Sequence, residues 1–176
     1  MTRRMTTLKW VFYALWTLVF LLVQQLMFPY LRIAGVHPFI LPSLAAIAAS
    51  FEGKREGPVY ALVLGLVCDT LFTGAFPCFY AVVLTLSALL AGQAARRLIM
   101  PGAVCSLAVS AGALLLTDLF NAVAFTYSHG TPPGEAMWLT AREILLSTAR
   151  EILLSLPFSM LVHLVFSRVH RRFDRR

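Results

Sequence analysis

Residues 10–30 read WVFYALWTLVFLLVQQLMFPY, 21 residues without a charge. A helix needs about 20 apolar residues to cross about 30 Å of hydrocarbon. This run is long enough. Arg3, Arg4 and Lys9 precede it. It is longer than the apolar core of a secretory leader, and no small-x-small cleavage site follows, so it reads as an uncleaved first helix.

Blocks of the same kind fill the rest of the chain. Of 176 residues, 59% are hydrophobic and only 13% charged. A soluble domain carries roughly a quarter charged residues. The apolar residues form continuous blocks, not the alternation of barrel strands. In lipid the backbone must satisfy itself, which leaves helices. The sequence therefore predicts an all-α integral membrane protein, one membrane domain over 1–176. The spans expected are 10–30, 36–51, 58–72, 76–95, 102–127 and 148–167. Breakers separate them: Gly35 and Pro38; Gly53, Gly57 and Pro58; Gly74 and Pro77; Pro101 and Gly102; Pro132, Pro133 and Gly134. The second and third spans are short and are expected to be sheltered by neighbours or to lie in thinned lipid.

Charge placement orients this six-helix bundle. With the N-terminus inside, the inner segments hold Arg3, Arg4, Lys9, Lys54, Arg55, Arg96, Arg97, Arg168, Arg171, Arg172, Arg175 and Arg176. The first two outer loops hold only Arg32. This asymmetry predicts that both termini are cytoplasmic and that the spans are even in number. It also accounts for the net charge of +7 without nucleic acid. Cys68, Cys78 and Cys105 form no paired or metal-binding pattern and read as small buried hydrophobes. His37, His129, His163 and His170 have no metal spacing, so neither metal nor cofactor is expected.

Residues 142–147 read REILLS, and 150–155 read REILLS again. Eight residues are about 80° past two helical turns, so Glu143, Ser147, Arg150 and Glu151 share one broad face. A local duplication that lengthens the outer end of the last helix explains this. An amphipathic surface at the outer interface is the alternative. Pro157 is expected to kink the helix. Ala45 and Ala49, and Ala61 and Gly65, are spaced for close helix contact.

Ionisable groups inside the hydrocarbon are costly and need a partner or a task. At about 1.5 Å per residue, Asp69 lies about 17 Å from the inner surface, Gln24 and Gln25 about 21–23 Å and Asp118 about 24 Å. Asn121 lies a turn beyond Asp118, and Arg150 and Glu151 come near the outer end of the last span. The buried polar groups thus gather in the outer half, and the inner half is expected to be nearly free of them. Three uses compete: an ion pair of Asp69 or Asp118 with Arg150, a small-molecule pocket open to the outside, and an aspartyl hydrolase dyad of Asp69 and Asp118. Lipoprotein signal peptidases use such a dyad, but the Asn- and Gly-containing stretches around their aspartates are absent.

Residues 57–74, GPVYALVLGLVCDTLFTG, resemble the central segment of the rod shape-determining protein MreD family. There, an apolar helix carries Gly, Asp four residues later, an aromatic and a Gly turn, and a second helix begins near an aromatic-Ala pair. Gly65, Asp69, Phe72, Gly74 and Phe79-Tyr80-Ala81 fill those places. The family's second turn glycine is missing here; Pro77 and Cys78 stand near its place. The resemblance covers about 35 residues, and length, span number and basic ends agree more loosely. It implies a non-enzymatic scaffold of the bacterial elongation machinery in the inner membrane. Its implied partners are an MreC-like bitopic protein and other membrane proteins of side-wall peptidoglycan synthesis. The six-helix organisation is also similar to substrate-binding subunits of energy-coupling-factor vitamin transporters, whose pockets open outward. The first helix here has only Ala14 and lacks their Ala-x-x-x-Ala contact.

Overall fold

The structure is a computed structural model that describes residues 3–27, 30, 38–74, 76–97, 102–129 and 135–174. It contains α1 (Arg3–Leu26), α2 (Leu41–Leu71), α3 (Phe79–Arg97), α4 (Ala103–His129) and α5 (Glu135–Asp174). No strand occurs among the described residues.

The chain reverses within α2. Gly53 leaves helical geometry with φ 87° and ψ −166°. This left-handed backbone suits glycine, which has no Cβ to collide with the preceding carbonyl. The two arms then fold back on each other so closely that a Cβ on Gly57 would stand 2.6 Å from Ala49 Cα. Gly57 and Pro58, expected as breakers, lie inside the second arm. Pro42 opens the first arm, where a missing N–H costs nothing.

The first arm is the post around which the bundle is built. Leu41, Leu44, Ala45, Ala46, Ile47, Ala48 and Ala49 are all fully buried. Its alanines let neighbours approach from every side. Tyr13, Phe20 and Leu21 of α1 and Val162 and Phe166 of α5 share one core with it. Ala46 joins a second core with Ala91 and Ala95 of α3 and Cys105, Val109 and Ala113 of α4. The shelter by neighbours expected for 36–51 is found over residues 41–49.

The other helices carry a belt of exposed apolar side chains, among them Leu15, Leu22, Leu62, Leu66, Leu119 and Leu153. Exposed apolar surface on this scale marks a surface made for another medium than water. Among the described residues four helical stretches are long and apolar enough to span a membrane: Thr7–Leu26, Phe79–Arg96, Ala103–Ala124 and Leu146–Arg172. This is a helical membrane protein. Glu52, Lys54, Arg55 and Glu56 at the corner and Asp69 beyond keep α2 out of that set.

Two further expectations change. The last helix covers 40 residues rather than 148–167 and runs continuously through Pro157 and both REILLS copies. At 1.5 Å per residue it is about 60 Å long, twice the hydrocarbon thickness. Cys68 and Cys105 are buried as expected, but Cys78 is exposed. It adopts φ 61° at the turn into α3, the left-handed conformation of a turn glycine. Left-handed backbone costs a residue with a Cβ roughly 1–2 kcal/mol. Cys78→Gly should raise stability by about 1 kcal/mol, seen as a higher melting temperature in nanodiscs. A lower melting temperature would show that this turn carries no such strain.

Candidate functional site

Polar side chains gather at both ends of the bundle. One end carries the connections before α2 and before α3, and is called here the loop end. The other carries the start of α1, the Gly53 corner and the end of α5, and is called the termini end.

At the loop end, side chains satisfy backbone. Gln24 is buried and clamps the segment entering α2: its Nε2 donates to Pro38 O at 3.1 Å, and its Oε1 accepts from Ile40 N at 3.0 Å. Ser155 Oγ of α5 accepts from Phe39 N at 3.2 Å. Non-helical backbone is tolerated at membrane depth only where protein satisfies it, and these three bonds do so. Asp69 Oδ1 accepts from Tyr80 N at 2.8 Å and its Oδ2 from Ala81 N at 3.0 Å. The carboxylate thus caps the N-terminus of α3, where unpaired N–H groups and the helix dipole favour a negative charge. Phe39, Phe72 and Tyr80 close over this end with ring centroids 5.9–6.1 Å apart.

This geometry corrects the expected ion pair. Both oxygens of Asp69 are engaged by α3, and Arg150 is exposed on α5. An arginine at a helix surface reaches water or headgroups at less cost than a buried carboxylate. Asp118 bonds Thr148 across the α4–α5 contact, and its electrostatic neighbour is Glu151, not Asp69. No bond joins Asp69 to Asp118 among the described residues, so the shared-proton dyad is not formed. Gln25 and Asn121 are half-buried and join none of these contacts. Asp69→Ala should lower stability by about 1–2 kcal/mol, as for other lost caps, with Asp69→Asn recovering part. Arg150→Ala should change it by less than about 0.5 kcal/mol, and the pair should be additive. Melting of the two singles and the double checks this; strong coupling would restore the ion pair.

No family profile, curated protein or solved structure matches this chain. The chemistry must therefore be read from its own geometry.

The termini end holds buried polar groups as well, at Lys9 and Glu52, just outside the expected spans 10–30 and 36–51. Glu52, whose side chain is 3% exposed, receives Lys9 Nζ at 2.7 Å on Oε2 and Tyr13 OH at 2.6 Å on Oε1. His170 Nδ1 lies 3.6 Å from Oε1. Burial pushes the Glu52 carboxyl up, but the nearby His170 ring, the hydrogen bonds from Lys9 and Tyr13 and the lysine's charge outweigh it and hold it below its ordinary value. Lys9, read from sequence as an orienting surface charge, is in fact 9% exposed at its side chain. One carboxylate thus ties α1, the corner of α2 and α5 together. Nearby, Ser106 Oγ and His163 Nδ1 are 2.6 Å apart, both buried, and His163 packs on Phe51 with centroids 5.5 Å apart. Among the described residues no carboxylate bonds this ring, the partner that orients the base of a serine nucleophile. In mid-bundle the hydroxyls of Thr17 and Tyr60 bond each other.

The signal for Glu52 was present in the sequence. It is the acid that ends an otherwise apolar arm, at the same end as Lys9. Its partners were not legible, because α1, α2 and α5 are far apart in the chain. Among the described residues no group of three His, Cys, Asp or Glu is placed to hold a metal.

Proposed function

We propose that this protein is a non-enzymatic scaffold of the bacterial elongation machinery, acting in the inner membrane through binding of an MreC-like bitopic protein and other membrane partners. In this reading the six helical segments, counting the arms of α2 separately, all cross the bilayer. The termini end is cytoplasmic, in keeping with its arginines and lysines.

One observation supports it above the others. The residues that carry the resemblance to MreD share one structural task. Gly65 lets α3 lie against α2, Asp69 caps α3 through Tyr80 and Ala81, and Gly74 sits in the turn between them. A motif that welds a hairpin needs no substrate. The exposed apolar belt then serves as surface for partner helices.

Depletion in a rod-shaped host carrying the gene should give round cells, and the tagged chain should copurify with a bitopic coiled-coil protein. The adjacent carboxylates Asp118 and Glu151 favour a second reading, the substrate-binding subunit of a vitamin transporter with a pocket at the loop end. A vitamin copurifying at one per chain, with cell shape unchanged on depletion, would replace the first reading by the second.

A further inference from the structure

Between α1 and the second arm of α2 runs an open groove of about 680 Å³. Its walls are apolar stripes at helical spacing: Trp10, Ala14, Leu18 and Leu21 on one side, Val59, Val63 and Val67 on the other. At its termini end Arg55 and Glu56, consecutive on α2 and both exposed, line the groove, with Trp10 on the opposite wall. The bonded pair of Thr17 and Tyr60 lies in its floor.

Size limits the occupant. From Trp10 to Leu21 the groove runs about 17 Å at 1.5 Å per residue. Its mean section is then about 40 Å², about a third to a half that of a helix 10–12 Å across. A transmembrane helix can rest on this groove but not enter it. The hydrocarbon chains of one lipid can.

The termini end of the groove limits the headgroup. Arg55 offers a guanidinium fork, which suits a phosphate. Glu56 beside it opposes an anion but accepts from an ammonium. A headgroup that carries both phosphate and a primary amine satisfies both. A choline headgroup carries a cation with no N–H to donate, and a glycerol headgroup carries no cation. Tryptophan at the level of the headgroups completes such a site.

We infer that this groove is a binding site for one aminophospholipid of the phosphatidylethanolamine class, its chains between α1 and α2, its phosphate on Arg55 and its amine on Glu56. The site requires only that the bundle lies in a bilayer; it does not depend on the scaffold reading, and its test has no cell-shape readout.

The full-length chain, reconstituted in nanodiscs of equal phosphatidylethanolamine, phosphatidylglycerol and phosphatidylcholine, is released into the gas phase and its retained lipids are weighed by native mass spectrometry. One phosphatidylethanolamine per chain is expected, enriched at least threefold over either other lipid. Arg55→Ala with Glu56→Ala should return the retained lipid to the bulk composition. Ala14→Phe, at an exposed position facing the groove, should remove the adduct while leaving the melting temperature within a few degrees. Enrichment of phosphatidylglycerol, retention at bulk composition by the unaltered chain, or enrichment that survives both variants would each overturn the site.

Discussion

Glu52→Gln is expected to be among the most damaging single changes in this protein. It leaves the Lys9 ammonium buried with its counter-ion gone. Removing one partner of a buried pair costs about 3–5 kcal/mol, because the other charge stays uncompensated. Lys9→Met should cost a similar amount by stranding the carboxylate. The double variant removes both charges and should recover about 2–3 kcal/mol of the summed loss, as coupled contacting pairs do. Thermal unfolding in nanodiscs and accumulation in membranes read this directly. If the two singles melt like the unaltered chain, or the double is simply additive, the cluster does not hold the ends of the bundle together. The pH dependence follows from the same carboxylate. Its folded pKa lies below the ordinary 4.5, so its contribution is fully present above that value. It is lost as pH falls through the lower folded value. The stability gap between the unaltered chain and Glu52→Gln should therefore be constant at neutral pH and close only in acid.

Gly65→Val should be worse still. A Cβ at this position would stand 2.7 Å from both Ala81 N and Tyr80 O. Those are backbone atoms of α3, and no rotamer change moves them. Overpacking a core costs about 1–3 kcal/mol where side chains can give, and more where they cannot. Here the damage also spreads one turn along α2. Pushing α3 away draws the Tyr80 and Ala81 amides off Asp69, so the cap and the contact fail together. Gly65→Ala should lose about 1–3 kcal/mol, and Gly65→Val should fail to accumulate. The control is Gly112 on α4, where a Cβ meets nothing within 4 Å. Gly112→Ala should gain about 0.5–1 kcal/mol from helix propensity alone. Equal melting of Gly65→Ala and the unaltered chain would show that the two helices do not need this approach.

The two glycines look alike in the sequence. Each interrupts an apolar helix, and only the position of α3 tells them apart. The same holds for charge. Lys9 and Arg150 are both cations beside apolar runs, yet one is buried on Glu52 and the other exposed. Hydropathy records how much charge a segment carries, not which face it occupies. Asp69 was recognisable as a residue with a task, because a carboxylate at that depth is costly. The task was misassigned: a cation was sought where the partner is the backbone of the next helix. Backbone amides leave no mark in a sequence, since every residue but proline has one.

The sequence by itself determined that the chain is helical and that it belongs in lipid. Continuous apolar blocks have one physical solution, and glycines and prolines punctuate it locally. The tertiary structure alone decided that the first arm of α2 is the central post and that Glu52 at the Gly53 corner fastens both ends of the chain. It also decided that Asp69 serves a helix end rather than a cation. These depend on contacts between segments distant in the chain, where packing distance and the cost of an unpaired buried charge select the partner.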